Sequence, residues 1–182
     1  MANPSPSFFI FLFALLTFLP HFNNAEDVTS VSDACKDAAA SSPNVDYNYC
    51  VQSLQADPSS SSTGKLGLAK IATNLASQSA QDTKTKVKKL LIDAAYAQYE
   101  TEIHTCKSLY SRLVDYLAVA AKGIESSRLA DAHTYLSASL DAPGECDEAF
   151  SKKQAPAMLA NENATAKQLV AIALALVKMS RV

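Results

Sequence analysis

Residues 68–122 read LAKIATNLASQSAQDTKTKVKKLLIDAAYAQYETEIHTCKSLYSRLVDYLAVAAK, a stretch of 55 residues that contains neither glycine nor proline. One uninterrupted α-helix over this stretch would be about 80 Å long. A compact domain of this size cannot contain such a rod, so the chain must turn back within the stretch. We place the turn between Asp93 and Glu102, which predicts two long helices.

The spacing of apolar and small residues supports this division, because steps of three and four residues place them along one face of a helix. The first stripe consists of Leu68, Ala72, Ala76, Ala80, Thr83, Val87, Leu90 and Ala94. The second consists of Ile103, Cys106, Leu109, Leu113, Leu117, Ala120 and Ile124. Each stripe predicts an amphipathic helix that faces a common core.

Two further stripes follow. The third is formed by Leu129, Ala132, Leu136 and Leu140. It stops at Pro143-Gly144, a pair typical of a helix end. The fourth is formed by Leu169, Ile172, Ala173, Leu176 and Val177, with Asn163 or Thr165 as its predicted cap. Four amphipathic helices with short connections predict an all-α, up-and-down four-helix bundle over residues 64–182.

The N-terminus has a different composition. Residues 8–19 read FFIFLFALLTFL, an apolar run too short for the ~20 residues that a membrane-spanning helix needs. It fits the apolar region of a secretory signal peptide, which we assign to residues 1–25. Residues 26–182 then form one secreted domain of 157 residues, with no membrane association after cleavage.

Residues 26–56 predict two short helices joined by a turn at Pro43, with Asp46 or Asn44 capping the second. The polar run at 57–64 then predicts a linker. One cysteine lies in each short helix (Cys35 and Cys50), so a disulfide can clamp this helical hairpin. With Cys106 and Cys146 the count is four, which allows three pairings in a secreted chain.

Composition and missing motifs exclude several classes of function. The 28 alanines of residues 26–182, with no tryptophan, favour helices over strands. A net charge of −2 does not suggest nucleic-acid binding. No GxSxG, HExxH, P-loop or GxGxxG pattern occurs, and His104 and Cys106 are too badly spaced to share a metal. We therefore predict a protein that is not an enzyme and has no metal or cofactor.

Other features have two interpretations. The Asn163-Ala164-Thr165 sequon predicts a glycosylated, solvent-exposed Asn163. The lysines near residue 86 are the solvated face of the first long helix or a docking patch. A series of tyrosines packs into the core with its hydroxyls at the rim, or lines a ligand groove. These tyrosines are Tyr96, Tyr99, Tyr110, Tyr116 and Tyr135.

Several segments together resemble the plant invertase and pectin methylesterase inhibitor family over residues 26–182, and in particular its pollen branch, which includes allergens. The matching segments are SPNVDY (42–47), CVQSL (50–54), ADP (56–58), LGLA (66–69), Cys106 with Tyr110, LSASLD (136–141) and CDEAF (146–150). The resemblance implies a Cys35–Cys50 pair, and a Cys106–Cys146 pair between the second and third bundle helices. Family members often carry a fifth, unpaired cysteine in the last helix. Val170 and Ala171 occupy that neighbourhood here, so we expect no free thiol.

The resemblance further implies a secreted, reversible inhibitor in the cell wall (apoplast) or the vacuole. Its partner would be acid invertase or, alternatively, pectin methylesterase, in a 1:1 complex that blocks the substrate cleft. The family's invertase inhibitors insert a Pro-Lys-Phe segment into that cleft, and Leu129-Ala130-Asp131 correspond to it here. The predicted contact residues are Glu125, Ser126, Ser127, Arg128, Leu129, Ala130 and Asp131.

Two other surfaces and functions stay open. The N-terminal hairpin is a second candidate contact surface, because it projects beyond the bundle in the family. A rival hypothesis from another class is a storage protein or a module that binds a small apolar ligand.

Overall fold

The computed structural model describes residues 28–181, so the predicted signal peptide at 1–25 lies outside the described residues. Within that range helices are the regular secondary structure, and there are no strands. Its elements are α1 (Val31–Ser41), α2 (Tyr47–Gln55), a 3₁₀ helix (Pro58–Ser62), α3 (Lys65–Ile92), a second 3₁₀ helix (Ala94–Tyr99), α4 (Glu100–Glu125), α5 (Leu129–Ser139), α6 (Ala142–Lys152) and α7 (Ala160–Met179). No helix among these is both long and apolar enough to cross a bilayer.

The N-terminal hairpin is formed by α1 and α2. The Ser30 hydroxyl caps α1 by accepting a hydrogen bond from the Asp33 N–H at 3.0 Å. The Asp46 carboxylate caps α2 by accepting one from the Tyr49 N–H at 2.7 Å, as predicted. Cys35 and Cys50 form a disulfide that clamps the two helices. The residues predicted as a linker are ordered as the first 3₁₀ helix, in which Ser60 is buried.

The hairpin packs against the bundle, which corrects the expectation that it projects beyond it. Both of its helices contact α7. The Asp46 N–H donates to Gln168 Oε1 at 3.0 Å, and Lys65 pairs with Asp37 at 2.9 Å. The physical reason is the apolar side of the hairpin, which joins the bundle core instead of meeting water. Its buried members are Val31, Ala34, Cys35, Ala38, Val45, Cys50 and Leu54.

The bundle proper confirms the two long helices and the turn between them. The chain leaves α3 at Ile92 and enters α4 at Glu100 through the second 3₁₀ helix. Every member of the predicted second stripe is buried, as are the members of the first through Val87. The last helix, α7, contacts α1, α2, α3, α5 and α6, and for that reason its burial extends beyond a single stripe.

The third stripe ends differently from the prediction. Helix α5 ends at Ser139, and Pro143 lies in the first turn of an additional helix, α6. Proline suits that position because the first N–H groups of a helix have no partner within it. Cys146 on α6 is bonded to Cys106 on α4. This disulfide therefore joins α6 to α4, whereas the resemblance implied a bond between the second and third bundle helices, which are α4 and α5.

The predicted caps of the last helix were also wrong. Helix α7 begins at Ala160, so Asn163 and Thr165 lie inside it. Both cysteine pairs are those that the resemblance implies, and neither leaves a free thiol.

Candidate functional site

The turn between α4 and α5 holds the predicted contact residues in a defined geometry. The Ser127 N–H donates to the Ile124 carbonyl at 3.1 Å, and the Arg128 N–H donates to the Gly123 carbonyl at 2.7 Å. This pair of bonds is a Schellman motif, which satisfies the last carbonyls of a helix. Its left-handed position is filled by Ser127 with φ 55°, where glycine is the usual residue.

Gly123 allows α5 to start close to α4. A Cβ atom on this glycine would lie 3.0 Å from the Ala132 nitrogen and 3.2 Å from the Arg128 carbonyl oxygen. Both neighbours are backbone atoms and cannot turn away as a side chain would. The turn is therefore held from both sides, by its own hydrogen bonds and by the close contact of the two helices.

The predicted contact residues form one continuous surface, which we call the α4–α5 surface. Leu129 is half-buried, and the other six residues of the range 125–131 are exposed. The Arg128 side chain is 61% exposed and its Nε lies 3.5 Å from Asp131 Oδ2. Glu125 lies 3.3 Å from Lys70. Exposed ion pairs of this kind contribute little to stability, so these charges are available to a partner.

The end of α7 completes this surface, which sequence reasoning missed. Ser180 and Arg181 line a shallow depression of about 540 Å³ together with residues 127–131. An up-and-down bundle places its third and fourth helices side by side, and α5 and α7 do contact each other. The predicted topology therefore indicated that the end of α7 lies near α5. Arg181 and Lys178 also act on His133 of α5, whose pKa is lowered chiefly by burial and then by these two positive charges.

The hairpin, the second predicted surface, also has exposed residues on both of its short helices. Tyr47 at the start of α2 is 40% exposed. Its hydroxyl lies 2.9 Å from the Ser32 hydroxyl of α1. This bond joins the outer sides of the two short helices, whose inner sides are in the core.

Asn163 lies in the core, so the expectation that its side chain is exposed to solvent is wrong. Asn163 is only 1% exposed. Its Oδ1 accepts a hydrogen bond from the Tyr110 hydroxyl at 2.6 Å, and its Nδ2 donates to Asp147 Oδ1 at 2.6 Å. A glycan would be attached to that same Nδ2, for which the folded protein leaves no exposed path.

The tyrosines separate into three groups. Tyr110 is fully buried, and burial raises the pKa of its phenol. Tyr116 and Tyr135 pack edge to face with ring centroids 5.6 Å apart, linking α4 to α5. Tyr96 and Tyr99 lie in the second 3₁₀ helix and pack partly buried against the core. These five residues therefore pack between elements and do not line one groove.

The described residues offer no group of three His, Cys, Asp or Glu side chains placed to hold a metal ion. His104 instead lies 3.6 Å from Glu100, one turn earlier on α4.

The comparisons with known proteins agree with this arrangement. The chain is 35% identical over 153 residues to a Platanus orientalis protein named "Putative invertase inhibitor", across 82% of this chain and 88% of that protein. It is 31% identical over 173 residues to "Pectinesterase inhibitor 12" of Arabidopsis thaliana, across 94% and 98%.

The fold is similar to the crystal structure of a mutant form of a pectin methylesterase inhibitor from Arabidopsis. The TM-score is 0.67 at 19% identity, over 83% of this chain and 97% of that one. The family described as plant invertase/pectin methylesterase inhibitor matches residues 29–176. The chain therefore belongs to the plant invertase/pectin methylesterase inhibitor family.

Proposed function

We propose that this protein is a secreted, non-catalytic inhibitor that binds an acid invertase in a 1:1 complex and covers its substrate cleft. The observation that supports this proposal best is the α4–α5 surface. Six of its seven residues are exposed at the end of the bundle, on a turn fixed by the Schellman bonds and by the contact at Gly123. The complex would form in the apoplast or the vacuole.

Rigidity is the physical basis of the proposal. A loop that is ordered before it binds loses little conformational entropy on docking. The Schellman bonds at Ser127 and Arg128 and the close contact at Gly123 supply that order. An exposed arginine at the centre of the surface suits an enzyme cleft, since glycoside hydrolases generally use a pair of carboxylates.

The choice of invertase rests on the names of relatives such as the Platanus orientalis protein. Pectinesterase is the alternative target, because a relative with that name matches 94% of the chain. The replacement of the family's Pro-Lys-Phe segment by Leu129-Ala130-Asp131 is a second reason to test it.

The test is a titration of each purified enzyme with oxidised residues 26–182, between about pH 4 and 7. We expect saturating inhibition of acid invertase at one equivalent. Arg128→Glu should weaken the inhibition. Lys88→Glu makes the same charge reversal on an exposed residue near the end of α3, whereas the start of α3 lies beside the α4–α5 surface through Lys70. Lys88→Glu should therefore not weaken the inhibition. Inhibition of pectinesterase alone would establish the alternative target, and inhibition of neither enzyme would refute the proposal.

A further inference from the structure

A groove of about 590 Å³ lies where the hairpin meets the bundle, between α2, α3 and α7. Small-molecule sites typically have volumes of about 300–1,000 Å³ and a mostly apolar lining with a few polar groups. The apolar part of this groove includes Leu75 of α3, Leu169 of α7 and the Tyr49 side chain of α2. None of these residues belongs to the α4–α5 surface, so the groove is separate from the proposed enzyme contact.

The polar part of the groove contains charges of both signs next to each other. Lys86 Nζ lies 2.6 Å from Glu162 Oε1, across α3 and α7. One turn before Lys86, the Asp82 carboxylate accepts bonds from Gln78 Nε2 at 3.0 and 3.1 Å. Strong donors and strong acceptors therefore alternate along the edge of the groove.

This mixture selects against a charged ligand. Asp82 and Glu162 repel an anion that Lys86 attracts, and Lys86 repels a cation that the two carboxylates attract, so a ligand charge of either sign meets an opposing charge in the groove. A hydroxyl group is both a donor and an acceptor, and it can pair with an ammonium and with a carboxylate in turn. The apolar lining, which contains one aromatic ring, suits a ring-shaped apolar body.

We propose that this groove binds a small, neutral molecule that has an aromatic ring and several hydroxyl groups, of the chemical class of aryl glycosides. The ring would contact Leu75 and Leu169, and the hydroxyls would pair with Asp82, Lys86 and Glu162. This inference goes beyond the proposed inhibition and does not depend on it.

The probe for the test is phenyl β-glucoside, titrated into isotope-labelled residues 26–182 and followed by backbone amide shifts in NMR. We expect saturable shifts confined to residues that line the groove. Glucose alone and phenol alone should each bind at least about tenfold more weakly. Glucose lacks the aromatic ring, and phenol lacks the sugar hydroxyls. No saturable shift up to about 10 mM, or shifts located elsewhere, would overturn the proposal.

Two matched variants locate the site. Ser53→Trp places an indole at a half-buried position that lines the groove, and should abolish the shifts. Gln52→Trp makes the same change at an exposed neighbour outside the groove, and should leave them. Equal binding by both variants would contradict the assignment.

Asp82→Ala provides a test that does not need an added side chain, since Asp82 is exposed and forms no part of the core. It should reduce the advantage of phenyl β-glucoside over phenol while leaving phenol binding unchanged. If Asp82→Ala still bound phenyl β-glucoside more tightly than phenol by the wild-type factor, Asp82 would not be a partner of the sugar hydroxyls.

Discussion

The Tyr110 hydroxyl on α4 donates a hydrogen bond to Asn163 Oδ1 on α7 at 2.6 Å, inside the bundle. The same amide donates from Nδ2 to Asp147 on α6. One side chain therefore links three helices, next to the disulfide that joins Cys106 to Cys146. Because Tyr110 is fully buried, its hydroxyl has no access to water that could replace this bond.

Substitution of Asn163 tests the importance of this link. Asn163→Ala removes the acceptor and leaves the buried Tyr110 hydroxyl without it, so we expect a loss of about 1–3 kcal/mol in the free energy of unfolding. Urea denaturation followed by circular dichroism measures the loss. Asn161→Ala is the control, because Asn161 lies in the same helix and is exposed. Equal stability of the two variants would contradict the assigned role.

The same geometry predicts the modification state of the sequon. Protein that is secreted by a glycosylating host and folds correctly should have no glycan on Asn163, because its Nδ2 is buried and bonded to Asp147. Intact-mass spectrometry of the folded fraction checks this, with Thr165→Ala as the variant that lacks the sequon. A glycan of the usual mass on protein with wild-type thermal stability would refute the prediction.

The two glycines of the second half of the chain should respond oppositely to alanine. Gly123→Ala places a Cβ against the backbone of Ala132 and Arg128, and should destabilise the fold by about 1–3 kcal/mol, as overpacking does. Gly144 lies in α6, where an added Cβ atom would have no neighbour within 4 Å. Gly144→Ala should therefore stabilise by about 0.5–1 kcal/mol through helix propensity.

Thermal denaturation of the two variants measures both signs. Gly123→Ala should also weaken inhibition of the target, since it displaces the α4–α5 surface, while Gly144→Ala should not. If both substitutions change stability in the same direction, close contact at Gly123 is not what fixes the turn.

Most helices of the bundle could be predicted from the sequence, because helix periodicity determines which residues are buried. Stripes such as the one from Ile103 to Ile124 need only the 3.6-residue repeat and an apolar core. Helix α6 was missed since a Pro-Gly pair is ambiguous: Pro143 fits the first turn of a new helix as well as the end of an old one.

The site was less predictable, because it depends on contacts between distant residues. A sequon is a local pattern, and nothing in residues 163–165 shows that Tyr110 and Asp147 surround the amide. Arg181 joins the α4–α5 surface only through the packing of α7 beside α5. The position of the turn itself followed from the helix stripes on either side of it.

His133 should make the fold less stable in acid. Its pKa is lowered in the folded state by burial and by the charges of Arg181 and Lys178, whereas the unfolded chain protonates near the ordinary value of about 6.5. The unfolded state therefore binds more protons as the pH falls, and the free energy of unfolding decreases below about pH 6.5 until the lowered pKa is reached. His133→Gln should flatten this dependence between about pH 7 and 5. Urea denaturation at several pH values measures the slope.

Two arginine variants separate the local charges from a general effect of net charge. Arg181→Gln removes one positive neighbour of His133, so it should raise the pKa of the imidazole and reduce the acid sensitivity in part. Arg112→Gln also removes one positive charge. Arg112 pairs with Glu145 and does not contribute to the lowered pKa of His133. This variant should therefore keep the contribution of His133 to the acid sensitivity. If His133→Gln and wild type show the same slope, another group causes the acid sensitivity. If both arginine variants reduce the acid sensitivity equally, the effect comes from net charge and not from the charges at the end of α7.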